Sequence, residues 1–131
     1  MFNPQKHIFY IYVFNPLMKG THLGEFEELV LLAVCTTHPD TYGNTVKDEI
    51  NQTAKRNINL STAHGALTRL EDKGLVKSYM GEATSVRGGK RKRIFEITAL
   101  GLKKLEEAKN LRAKFWDKIP EKVLQTQFIT T

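Results

Sequence analysis

With a single cysteine among 131 residues, the chain cannot close an internal disulfide or build a multi-cysteine zinc or iron–sulfur site. That scarcity fits a reducing compartment, and the cytoplasm is the expected location. Long apolar runs are lacking too. IFYIYVF (8–14) and LVLLAV (29–34) fall far below the roughly 20 residues that span a bilayer. No membrane segment is expected, and the first run has no small-residue cleavage site of the kind that ends a signal peptide. Catalytic signatures are missing as well. RGGK (87–90) has neither the upstream glycine nor the following Ser/Thr of a phosphate loop, no Gly-x-Ser-x-Gly occurs, and no carboxylate pair stands in an apolar setting. His7, His22 and His38 show no zinc-ligand spacing with Cys35. An enzyme, a metal site and a cofactor are therefore all unexpected.

Acidic residues are the other shortage. Fourteen Asp+Glu stand against 20 Lys+Arg, a formal net charge of +6 and a pI near 9.5, which favours a polyanionic partner such as nucleic acid. The imbalance is local: residues 61–98 hold eight Lys/Arg and four Asp/Glu. Within VRGGKRKRIFEIT (86–98), Arg87, Lys90, Arg91, Lys92 and Arg93 surround Gly88-Gly89 with no acid among them. A charge run is ordinarily a solvated loop. Here its place at a turn leading into an alternating apolar strand points instead to phosphate contact.

What the sequence does have is periodicity. Its length and its 40% hydrophobic content suit one compact domain with a real core. From Leu23, Phe26, Leu29/Val30 and Ala33/Val34 recur at helical spacing behind Glu25, Glu27 and Glu28, which complement a helix N-terminus. THPDTYG breaks that helix, and NTVKDEINQTA starts a second through Val46 and Ile50. LSTAHGALTRLEDKG predicts a third, with Leu60, Ala63, Leu67 and Leu70 inward and Gly74 as its C-terminal cap. Ser61, His64, Gly65 and Thr68, with Thr62 beside them, line the opposite face. Small, polar and free of acid, that face suits a major groove, where hydroxyls and an imidazole meet base edges or phosphates.

After Gly74 the period becomes two. LVKSYMGE (75–82) and RKRIFEIT (91–98) read as strands of a long hairpin, with Arg91, Arg93, Phe95 and Ile97 on one face of the second. Residues 99–119 predict an amphipathic helix carrying Leu102, Leu105, Ala108, Leu111, Phe115 and Ile119. Its length exceeds what so small a body covers, so Leu102, Leu105, Leu111, Phe115 and the lone Trp116 are expected in the seam of a homodimer. The tail at 120–131 carries no clear pattern. Residues 1–17, aromatic and β-branched, form an N-terminal extension with two readings, an extra strand or helix packing on the domain or, the one favoured, translated sequence upstream of a natural start at Met18.

Three helices, a basic hairpin and a trailing helix assemble into a winged helix-turn-helix, mainly α, over 18–98, followed by a dimerising helix at 99–119. At this level the segments MKGTHLGEFEELVLLAV, TYGNTVKDEI and AHGALTRLEDKGLVKSYMGEATSVRGGKRKRIFEITALG resemble the PadR family of bacterial transcriptional regulators. The likeness covers about residues 18–118, and its most specific part is the L-x-R-L-E-x-K-G-L run followed by the R-G-G-K-R-K wing. It implies a homodimeric repressor of double-stranded DNA whose C-terminal helix dimerises and sometimes helps form a pocket for a small-molecule effector. It also places His64 where the family commonly has Tyr or His in its reading helix, and Tyr42-Gly43 at the Tyr-Gly before helix two. Residues 1–17 have no counterpart, and one trailing helix matches the shorter members, which carry no large ligand-binding domain. Two other readings are weaker. A protein-binding winged helix would tolerate an acidic or apolar wing, and an RNA-binding one would favour exposed aromatics on its reading face.

Overall fold

The computed structural model of the chain describes residues 22–82 and 91–129. The readings made for residues 1–17, Arg87 and Lys90 lie outside these described residues. Helices α1 (Glu25–Thr36), α2 (Gly43–Thr53) and α3 (Leu60–Asp72) lead into the antiparallel strands β1 (Val76–Met80) and β2 (Arg93–Ile97). Helices α4 (Ala99–Lys118) and α5 (Glu121–Ile129) follow. The architecture is mainly helical with one two-stranded hairpin.

Each of the three body helices has an identifiable start. Glu25, Glu27 and Glu28 occupy the first turn of α1. The Tyr42 N–H donates to Thr45 Oγ1 at 2.9 Å as α2 begins. Asn59 caps α3, its Oδ1 accepting from the Thr62 N–H at 2.8 Å. Termination of α3 follows from Gly74, whose φ of +75° lies in the left-handed region that favours glycine. Gly74 N–H then donates to the Glu71 carbonyl and Leu75 N–H to the Leu70 carbonyl, both at 2.9 Å, which closes a Schellman cap and starts β1 at once.

The core gathers Val30, Leu31 and Val34 of α1, Val46 and Ile50 of α2, Leu67 and Leu70 of α3, and Phe95 of β2. Inside α1 the buried set includes Leu31, while Leu29 is only partly covered. Leu60, expected on the inner face of α3, is 37% exposed because it opens the helix at its rim. The strands pair Val76 with Ile97 and Met80 with Arg93, shorter at both ends than the alternation predicts. Beyond the hairpin, the Phe95 N–H donates to the Thr41 carbonyl at 2.8 Å, lacing the α1–α2 loop onto β2. Thr41 is itself fully buried and donates to the Val34 carbonyl.

Charge links the helices at the surface. Thr36 and Thr53 both donate to Glu49, and these hydrogen bonds, that from Thr36 foremost, hold its carboxyl below the usual range. Between α1 and α3, Lys73 Nζ meets Glu27 Oε2 at 2.6 Å and the His22 carbonyl at 2.8 Å, and Arg69 approaches Glu27 at 3.5 Å. The Lys73 and Glu27 side chains are only 11% and 14% exposed, so this pair lies largely out of water. Removing the carboxylate strands a half-desolvated ammonium. Glu27→Ala is expected to lower unfolding free energy by about 2–3 kcal/mol, read by urea denaturation. A change under about 0.5 kcal/mol, the size typical of surface substitutions, would show that the pair is effectively solvated.

Helix α4 is anchored to the body chiefly at its N-terminal end. The Thr98 side chain accepts from Gly101 N–H at 3.0 Å and donates to the Gly74 carbonyl at 2.7 Å, while Thr98 N–H donates to the Leu75 carbonyl at 3.0 Å. Gly101 and Leu105 are buried. Beyond Ala108 every residue of α4 is exposed, and the Arg112–Glu28 ion pair, at 2.8 Å, ties that distal half back to α1.

Candidate nucleic-acid interface

Helix α3 is buried along Ala63, Ala66, Leu67 and Leu70. The residues between these positions must therefore face outward. Ser61, Thr62, His64 and Thr68 are exposed and Gly65 is half-buried, so the five predicted reading residues form one outward surface. No carboxylate interrupts it before Glu71. Arg69 and Glu71 turn to structural partners: Arg69 to Glu27 of α1, Glu71 to the hairpin.

The three described wing cations do not act alike. Arg91 Nε donates to the Gly81 carbonyl at 2.8 Å and its terminal nitrogen to the Met80 carbonyl at 3.3 Å, so this guanidinium closes the open end of the hairpin. Arg93 Nε donates to Ser78 Oγ at 2.9 Å, and its guanidinium lies 3.8 Å from Glu71 Oε1. The nearest acid in sequence, Glu96, lies close to Lys77 instead, and α3 supplies the partner of Arg93. Lys92, the residue before β2, turns instead to Tyr42. Its Nζ sits 4.2 Å from the centre of the Tyr42 ring, a cation–π contact, and it has no ion pair among the described residues.

That contact walls one side of a cleft of about 150 Å³ lined by Tyr42, Gly43, Asn44, Leu60, His64, Lys92 and Arg93. Three separate elements meet there: the start of α2, the first turns of α3, and the base of the wing. The periodic pattern of α3 places His64 on the reading face but gives no hint of its contact with Gly43. Nor does it reveal the Lys92–Tyr42 pair, which joins residues 50 positions apart. The one usable signal is the aromatic at the N-cap of α2, a position that ordinarily prefers Ser, Thr, Asp or Asn.

At the other pole, the apolar residues of α4 divide over two grooves. One, about 520 Å³, is lined among others by Leu23, Ala108, Leu111 and Phe115. The second, about 580 Å³, takes in Leu32, Cys35, Leu102, Lys109 and Trp116. Arg112 and Glu28 line both and separate them. Phe115 and Trp116 thus face different grooves rather than one pocket. Burial raises the Cys35 thiol pKa. Leu102, Leu111, Phe115 and Trp116 are 49–69% exposed, but Leu105, at 8%, belongs to its own chain's core and is not available to a seam. The tail is not patternless either: residues 121–129 form α5, with Val123 and Leu124 exposed.

Among the described residues no group of three or more His, Cys, Asp or Glu could hold a metal ion, and no helix is long and apolar enough to cross a membrane. An α2–turn–α3 unit with an acid-free outer face, a basic hairpin beside it and a protruding C-terminal helix define a winged helix-turn-helix of the transcription-regulator class. The chain belongs to the PadR-like family of transcriptional regulators, whose model matches residues 31–107. Such a family and fold are generally not those of enzymes.

Solved structures agree in architecture. A PadR family transcription regulator from Clostridium difficile is 25% identical, with a TM-score of 0.58 over 81% of this chain and 99% of that one. A PadR-like transcriptional regulator from Bacillus cereus is 21% identical, TM-score 0.59, over 76% and 91%. RosR of H. salinarum shares the fold at 18% identity and a TM-score of 0.58, over 82% and 90%. No curated protein sequence matches the chain.

Proposed function

We propose that this chain is a DNA-binding transcriptional repressor acting as a homodimer on a two-fold symmetric operator. The observation that carries this reading is the outer face of α3: a rigidly backed, acid-free row of small polar residues, flanked by the basic hairpin. Ser61, Thr62, Gly65 and Thr68 enter the major groove, with the glycine admitting close approach and the hydroxyls reaching base edges. The wing, including Arg87 and Lys90, grips the flanking backbone, and Lys92 is the described wing cation left uncommitted to a protein acceptor. Two copies joined along α4 through Leu102, Leu111, Phe115 and Trp116 present their reading helices to successive major grooves about 10 base pairs apart. Occupying a promoter blocks transcription.

Selection of binding duplexes from a random-sequence pool, followed by footprinting, tests this directly. A palindromic site of two half-sites one helical turn apart is expected. Thr68→Ala and Ser61→Ala should each relax preference at one or two base pairs, by about 1–3 kcal/mol of discrimination. Binding should also weaken steeply with salt, with a log–log slope near −5 for about six phosphate contacts per dimer. Recovery of no preferred sequence, with binding equal on all duplexes, would reject sequence-specific regulation.

A further inference from the structure

The cleft between α2, α3 and the wing has a chemistry that groove reading alone does not use. His64 rests on Gly43 so closely that a Cβ there would lie 2.6 Å from its Nε2 and 2.8 Å from its Cε1. The imidazole therefore lies against the start of α2, at the edge of the reading face rather than at its centre. Lining the same cleft are Lys92, just before β2, Arg93 of β2 and the Tyr42 phenol; no carboxylate lines the space. Arg93 is already engaged by Glu71 and Ser78. Lys92 is held in place by the Tyr42 ring with its charge unmatched. A lysine ammonium and an imidazole thus line the same anion-sized opening.

We propose that this cleft binds a phosphate of the DNA backbone between Lys92 and His64, and that His64 takes up a proton as the phosphate enters, so that DNA binding tightens as pH falls. The inference rests on the DNA-binding reading given above. A phosphodiester remains anionic and a lysine cationic throughout pH 5.5–8.5, whereas histidine changes charge within it, near pH 6.5 in its ordinary state. An anion beside an imidazole favours the imidazolium, so the complex holds more protons than the free partners. Affinity is therefore expected to rise on acidification through the ordinary histidine range. No acidic side chain in the cleft supplies the same stabilisation before DNA arrives, so the proton is coupled to binding.

The test uses the full chain and a fluorescein-labelled duplex chosen by the protein from a random pool, with anisotropy titrations at fixed ionic strength from pH 8 to pH 6. Wild-type affinity is expected to rise about fivefold or more over that span, the ceiling being tenfold per pH unit for each coupled histidine. His64→Gln should flatten the profile. Lys92→Gln should weaken binding at every pH while keeping a rising profile, and His22→Gln and His38→Gln should leave the wild-type profile intact. On the unmodified protein, the His64 ring resonance should titrate at higher pH in the complex than in the free chain, a readout that does not depend on any variant folding. A His64→Gln protein with the wild-type pH dependence, or a ring resonance unmoved by DNA, would overturn the proposal and leave the regulator reading standing. Failure of the wild-type chain to bind any duplex at any pH would remove both.

Discussion

Gly101→Ala is expected to destabilise the protein by about 2–4 kcal/mol, although the same change in most helices is favourable by up to about 1 kcal/mol. A Cβ at this position would lie 2.2 Å from the Leu75 carbonyl oxygen and 2.8 Å from Ile97 Cγ1. The obstructing atom is backbone, and that carbonyl is already held by the Thr98 N–H at 3.0 Å. Relief requires α4 to move off the hairpin, which breaks the cap and uncovers Leu105. For a domain of this size the loss corresponds to a fall in Tm of about 10 °C, read by thermal denaturation. Gly65→Ala is the internal contrast. There the nearest atom is the end of the flexible Arg69 side chain at 3.4 Å, so alanine should stabilise by about 0.5–1 kcal/mol. Equal melting points for both variants would mean that the α4 junction yields far more easily than its geometry indicates.

Leu111→Asp combined with Trp116→Asp is expected to give a folded monomer whose DNA affinity falls about 100-fold or more. Both side chains are more than half exposed in a single chain, so the charge disturbs little within the monomer. Placed in a seam, however, two buried carboxylates per protomer face their copies across the two-fold axis, and association fails. Once the halves separate, the second half-site is no longer presented at high effective concentration, and avidity of about 10²–10⁴ is lost. Light scattering coupled to gel filtration gives the mass, and titration against the selected palindrome gives the affinity. Leu105→Ala provides the opposite signature: about 2–4 kcal/mol of lost stability with dimerisation through the remaining residues preserved. A double-aspartate protein that remains dimeric would move the seam to another surface, with α5 and its exposed Val123 and Leu124 the first to examine.

Much of this architecture is legible in the sequence because its signals are local. The spacing of Val46 and Ile50, the stripe Ala63–Leu67–Leu70 and the glycine at 74 each report on a few consecutive turns. The reading face of α3 is legible for the same reason, as the complement of the buried stripe. What escapes is set by distant partners. Arg93 is matched by Glu71, 22 positions away, and Lys92 by the ring of Tyr42, so the described wing cations divide into braces and one charge without an ion pair among the described residues. Leu105 and Leu111 look alike in a helical stripe, yet the first reaches α1 and the core while the second lies where α4 has run past the body. Helix α5 was hidden by its shortness and by β-branched and amide residues, although Pro120 before Glu121 is an ordinary helix opening.

The junction at Gly74, Leu75, Thr98 and Gly101 fastens the end of α3, the start of β1 and the start of α4 at a single point. Reading helix and trailing helix are therefore one stiff bracket rather than two hinged parts. A 20-residue helix is about 30 Å long, so tilting α4 by about 5° at a dimer seam displaces its far end by roughly 2.6 Å. In the proposed dimer, the angle at which two such brackets cross would set the distance between the two copies of α3, and hence the ruler by which the dimer would measure its DNA.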